Sequence, residues 1–146
     1  MECRFLKVNF ESVVTLQTET DYLRCSPMFH GTRRNDGIIY RLPTGALRFG
    51  MLHFVFVFMR EDDESSMEPV ILLRPMDIPI GPRSCKDVDL GLHRVRACTD
   101  FCFVSARSIV RGALLVNDPD SQQDFFAVDV VDTDMFLRFR SLFPQL

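Results

Sequence analysis

Tryptophan is absent from this 146-residue chain, and only two tyrosines accompany fourteen phenylalanines. Exposed recognition surfaces favour Trp and Tyr because those rings carry a polar tip, so this aromatic set points to a core more than to a binding cage. Lysine is scarce as well: fifteen of the seventeen basic residues are arginines, and the net charge is −3. That balance argues against a nucleic-acid binder held by electrostatics alone, which needs an excess of cations over a continuous face. The arginine bias has two readings, specific contacts through the planar guanidinium fork or a GC-rich coding sequence. The longest nearly uncharged apolar stretch, residues 51–59, is too short to cross a bilayer and contains His53. Glu2, Arg4 and Lys7 interrupt the first ten residues where a secretory signal would have its apolar core, so the expectation is an intracellular protein without a membrane segment.

Chemical motifs are missing too. The five cysteines are scattered, and a reducing compartment would keep them as small buried hydrophobes rather than a disulfide framework. No tight Cys-x2-Cys knuckle is present. The wider set of Cys85, His93, Cys98 and Cys102 reads as buried thiols beside a surface histidine, not as zinc ligands. The acidic stretch around Asp118, Asp120 and Asp124 lacks the Gly and Glu that a calcium loop requires, so a turn built on Pro119 explains it better. Neither a nucleophile elbow nor a glycine-rich phosphate cradle occurs. The chain is therefore expected to be no enzyme, with no cofactor and no metal, and a small-molecule ligand is not expected.

What is there is a β pattern. Hydrophobic residues make up 47% and charged residues 25%, the composition of one globular domain. Pro43-Thr44-Gly45 sits between two β-rich runs and predicts a hairpin, with a bulge or bend expected at Gly50. Beyond it, Phe54, Phe56 and Phe58 alternate with His53, Val55 and Val57, which predicts a central strand covered on both faces. Residues 22–25 read as a short strand ended by Pro27, residues 30–37 as a polar turn, residues 60–66 as a solvated acidic turn, and residues 76–91 as a long loop. Strands follow over residues 92–96, 101–105, 109–116 and 125–131. An Asp132-Thr133-Asp134 cap then opens a closing helix that buries Met135, Phe136, Phe139, Leu142 and Phe143. The predicted fold is mainly β: a small curled antiparallel β-barrel with a short C-terminal helix. Residues 1–20 are expected to be an N-terminal extension or edge strands, and residues 21–146 the single domain.

Two groups of charged residues stand out. Asp129 lies in an otherwise apolar strand, where an unpaired carboxylate would be costly, and Arg111 on the neighbouring strand is its expected partner in a structural ion pair. Arg33 and Arg34, Arg94 and Arg96, and Arg138 and Arg140 are the candidate partner-binding residues. For the first two pairs the favoured reading is a solvated face or pairing with carboxylates such as Asp87, Asp89 and Asp100.

The segments DVDLGLHRVRA, FVSARSIVRGALLV and DFFAVDVVDTDMFLRF resemble a domain that closes long transposon-derived proteins of mushroom-forming fungi, of the Kyakuja–Dileera–Zisupton or Plavaka transposase type. The matching pieces run from about Asp36 to Leu142. The zinc-binding and acidic catalytic core of those transposases has no counterpart here, so the resemblance implies a detached accessory domain and carries over no catalytic residue. A second likeness, in the order of the DGIIYRL…ALRFGML hairpin and the later strands, is to bromo-adjacent homology domains, β-barrel modules that read chromatin partners; the Trp- and Tyr-rich cage of some members is missing. The functional expectation is a non-enzymatic interaction module, nuclear, that binds a protein partner in chromatin or in a transposase complex. The alternative is direct nucleic-acid binding through the arginine clusters, and a hydrolase or metal-dependent enzyme is the remaining class.

Overall fold

The computed structural model describes residues 2–60, 63–77 and 85–142. β1 (Glu2–Cys3), β2 (Phe5–Glu11), β3 (Thr18–Phe29), β4 (Thr32–Asn35), β5 (Gly37–Arg41) and β6 (Leu47–Arg60) come first. They are followed by β7 (Asp63–Asp77), β8 (His93–Ala97), β9 (Cys102–Ser105), a 3-10 turn at Ala106–Ser108, β10 (Ile109–Asn117), β11 (Asp124–Val128) and helix α1 (Thr133–Leu142). All strand pairings are antiparallel.

Strands β5, β6, β7, β8, β11 and β10 form a ring-like sheet, each hydrogen-bonded to two others. Closure depends on the length of β6 and β7. The start of β6 pairs with β5 and the rest of it with β7, the two overlapping at Gly50 and Met51, and the last residues of β7, Met76 and Asp77, turn to pair with β8. β1 adds to the far half of β6, and β9 adds to β7. A second sheet, β2–β3–β4, lies apart from the ring in hydrogen bonding. Two buried clusters fill the molecule. One joins Val8, Leu23 and Cys25 of the small sheet to Ile38, Tyr40, Leu52, Val55, Ile71 and Leu73 of the ring strands. The other gathers Ile39, Phe49, Met76, Val95, Ala97 and Ala127 against Met135 and Phe139 of α1. β5 supplies residues to both clusters, so Gly37 and its neighbours up to Tyr40 are all buried.

Local chemistry explains the connections. Gly45, at φ 88°, closes the β5–β6 turn with its amide on the Leu42 carbonyl, as the Pro43-Thr44-Gly45 signal predicts. His30 and Gly31 both have positive φ, the requirement of the two-residue turn that joins β3 to β4. Asp118 accepts from the Ser121 amide across Pro119, so the acidic stretch is a turn. Asp132 caps α1: its Oδ1 accepts from the Met135 amide at 2.7 Å.

Several expectations change. The curled antiparallel sheet with a C-terminal helix is observed, closed as a ring. The division after residue 20 falls inside β3, and β2 is one of the two edge strands of the small sheet. Pro27 does not end its strand, because it falls in the register shift between Ser26 and Phe29, where the ladder needs no donor. Half of the expected 30–37 turn, Thr32–Asn35, is strand β4. Gly50 lies in register with Ile38 and Pro75, and the bulge comes three residues later, between Leu52 and Phe54. Glycine at position 50 instead serves close packing, since a Cβ there would meet Leu73 and Tyr40 at 3.1 and 3.2 Å. β7 starts at Asp63, so strand takes up much of the expected acidic turn, whose residues 61–62 lie outside the described ones. Within the expected 76–91 loop, residues 78–84 lie outside the described ones, and Asp87 caps a turn through the Asp89 and Leu90 amides. In α1, Met135 and Phe139 are buried but Phe136 is 44% exposed, and Phe143 lies outside the described residues.

Candidate interaction surface

Carboxylates already hold most of the candidate arginines. Arg34 pairs with Asp36 at 2.9 Å, and Arg96 grips the buried Asp124 through Nε and Nη2 at 2.6 and 3.0 Å. Arg94, itself buried, bonds Asp118 at 3.1 Å and also Asp87. Arg138 pairs with Asp134 one helical turn away and lends Nη2 to the Glu11 carbonyl at 2.6 Å. Such engaged side chains hold the fold together and have little charge left for a partner. Arg140 is exposed at the end of α1. Arg33 stands apart: its Nη2 contacts Nδ1 of His53 at 2.8 Å, and its Nε donates to the Asn35 side chain.

The expected Arg111–Asp129 pair is not formed. β11 leaves the ladder after Val128, so Asp129 is carried away from β10 and contributes instead to the field at His93. Arg111 is 5% exposed and binds Asp134 at 2.7 Å and Asp132 at 2.9 and 3.1 Å, with Asp21 at 3.4 Å from its Nε. Its guanidinium also lies 4.4 Å from the Phe10 ring centroid. Asp134 further accepts from the Val13 amide at 2.6 Å. One buried ionic cluster thus ties the small sheet, β10 and α1 together. Burial opposes ionisation of Asp134, but bonds from Arg138, the Val13 amide and Arg111 outweigh it and hold the carboxyl below its ordinary range.

A different surface forms around the bulge in β6. The extra residue lets Leu52 and Val55, three apart, both point inward, and turns His53 and Phe54 out of the core. The Leu52 amide donates to the Asp36 carbonyl at 3.0 Å, which brings the end of β4, with Arg33 and Asn35, beside His53. Phe101 meets the imidazole edge-on at 4.7 Å and lies 6.0 Å from the Arg74 guanidinium, whose Nε donates to the Cys98 carbonyl at 2.5 Å. Alongside runs an aromatic row. Phe54, Leu72 and Phe103 are register neighbours across β6, β7 and β9, and Phe56 bridges Phe54 at 5.9 Å and Phe103 at 6.4 Å. Phe54, Phe101 and Phe103 are 37%, 49% and 65% exposed. The strand expected to be covered on both sides is therefore open on one. Burial, with Arg33 and Arg74 nearby, lowers the His53 pKa to about 4, so the ring is neutral at physiological pH.

Concavities lie around this surface, one of them bordering Phe103. One of about 390 Å³ is lined by ring-interior residues such as Phe49 and Met76 together with the Arg48–Asp77 ion pair. A second, about 430 Å³, is mostly apolar between Tyr40, Pro43 and Phe103; a third, about 370 Å³, holds Arg41, Arg107 and Arg138 above Phe10. No histidine lines any of the three. Burial raises the thiol pKa of Cys98, next to Asp77, and of Cys102, so both sit as thiols and not as nucleophilic thiolates. Among the described residues no three His, Cys, Asp or Glu side chains converge as a metal ion would need. No helix among them is long and apolar enough to cross a membrane.

Of the site residues expected from sequence, the structure brings Arg33 into this surface and spreads the other five over different faces and ion pairs. Sequence reading missed His53, Arg74 and Phe101 as a group. Its one available signal was a histidine inside an otherwise apolar strand. No protein-family description, curated protein or solved structure matches the chain.

Proposed function

We propose that this protein is a non-enzymatic interaction module that docks an acidic, apolar-anchored segment of a protein partner on the face formed by Phe54, Phe101, Phe103, Arg33 and Arg74. The single observation that carries this reading is the exposed aromatic row flanked by two arginines that make no ion pair with a carboxylate among the described residues. Aromatic and Arg side chains are the residues most enriched at interface centres, and contiguous exposed apolar surface on a soluble domain marks contact sites. Charge complementarity selects the occupant: anionic groups for the arginines, an aliphatic or aromatic side chain for the phenylalanine row. The resemblance to transposon-derived proteins supports a nuclear partner, in chromatin or within a transposase complex. Direct nucleic-acid binding gains less support, because four of the six candidate arginines, Arg34, Arg94, Arg96 and Arg138, are engaged by carboxylates.

A display selection from random peptides tests this. Wild-type protein is expected to enrich sequences that place Asp or Glu beside a large apolar residue, and Phe103→Ser to lose them. Selected peptides without acidic enrichment, or retained equally by Phe103→Ser, would overturn the proposal.

A further inference from the structure

We propose that the β6 bulge at His53 is a binding site for a tetrahedral oxyanion of the phosphate-monoester class. This deepens the docking proposal by naming the anionic group, and rests on it only for the partner that carries that group; the site itself stands on its own geometry. Three donors from three strands lie near one another there, Arg33 in contact with His53 and Arg74 close enough to act on its charge. Arg33 comes from β4, His53 from the bulge of β6 and Arg74 from β7, with Phe101 as a shared apolar wall touching both the imidazole and the Arg74 guanidinium. No described carboxylate forms an ion pair with either arginine. The nearby Asp36 is held by Arg34 and by the Arg24 amide.

The imidazole is preset as a donor. Its Nδ1 accepts from Arg33, which places the ring proton on Nε2, and that N–H has no partner among the described residues. Two full cations and one N–H from separate strands suit a dianion with several acceptor oxygens, because a single carboxylate would leave one guanidinium unmatched. A bulge that re-aims one side chain at a strand edge is a recurrent device at binding sites. The depressed basicity of His53, set first by burial and then by the two cations, fits as well: a bound dianion would offset the cations' share.

The test is an NMR titration of the full chain with sulfate, inorganic phosphate and O-phosphoserine, following the His53 ring. The expected result is saturable shifts at His53 with all three anions and a His53 pKa raised by about one unit, a tenfold change in proton affinity, when sulfate is bound. Arg33→Gln, at an exposed position, is expected to weaken binding at least about fivefold, and Arg140→Gln to leave it unchanged. Binding of the inorganic anions without O-phosphoserine would overturn the monoester assignment. Absence of a saturable His53 response, or equal affinity in Arg33→Gln, would overturn the site. Such a failure alongside intact peptide selection at Phe103 removes the oxyanion site alone; loss of peptide selection with anion binding intact removes the docking proposal alone.

Discussion

Asp134→Asn probes the ionic cluster that joins the small sheet to the ring and helix. Asp134 is 4% exposed and accepts from Arg111 at 2.7 Å, Arg138 at 2.6 Å and the Val13 amide at 2.6 Å. Asparagine keeps one acceptor oxygen but turns an amide N–H toward donors and removes the charge that balances two guanidiniums. Removing one partner of a buried ion pair costs about 3–5 kcal/mol when the other is stranded. Arg111 retains Asp132 and Asp21, so the lower end applies, about 3 kcal/mol. For a chain of this size that lowers Tm by about 10 °C. Urea denaturation with thermal melts measures it, and Asp129→Asn, outside the cluster, serves as control with a change within about 0.5 kcal/mol. A loss below about 1 kcal/mol for Asp134→Asn, or equal losses for the two variants, would refute the assignment of the cluster as the tie between layers.

Further outcomes follow from the same contacts. His53 has a folded pKa of about 4, below its ordinary value near 6.5. The unfolded chain therefore binds the proton more readily, and stability is lost as pH falls from 6.5 to 4; after allowance for solvent screening the loss is about 1–2 kcal/mol, and urea midpoints across this range should lose that slope in His53→Gln. Below pH 4 a second loss is expected, from Asp132 and Asp134, whose lowered pKa values stabilise the fold only while they are ionised; Asp134→Asn should flatten it. Gly37→Ala places a Cβ 2.6 Å from the Ala113 carbonyl and 2.7 Å from Leu115, so calorimetry should show about 2–3 kcal/mol of destabilisation from overpacking.

How much of this was legible in the residues depends on the range of the interaction. The Pro43-Thr44-Gly45 hairpin, the Asp118-Pro119 turn and the Asp132 cap are written in adjacent residues, and all three are observed. Ring closure is not, because it depends on β6 and β7 pairing along two different edges, which no local pattern encodes. The bulge at His53 was hidden for a related reason: in a run where nearly every residue is apolar, the shift of the inward-facing parity between Leu52 and Val55 leaves no trace in hydropathy. The partner of Arg111 was misassigned because alternation predicts which face a residue takes but not where a strand leaves its ladder. The arginine pairs were visible as charges, while the carboxylates that engage Arg94, Arg96 and Arg138 come from turns, the first residue of β11 and a helix start placed only by the fold. Arg33, His53, Arg74 and Phe101 meet from four separate segments, so their convergence is a tertiary fact.

The proposed partner-binding face is the exposed phenylalanine row with Arg33 and Arg74, which form no ion pair with a carboxylate among the described residues. Chemical-shift mapping of a selected acidic peptide on the isotopically labelled protein tests it most directly. The predicted result is perturbation confined to Phe54, Phe101 and Phe103, to Arg33 and Arg74, and to His53. Perturbation centred instead on Phe49 and Met76 at the concavity lined by the ring interior, or on Arg41 and Arg107, would contradict it.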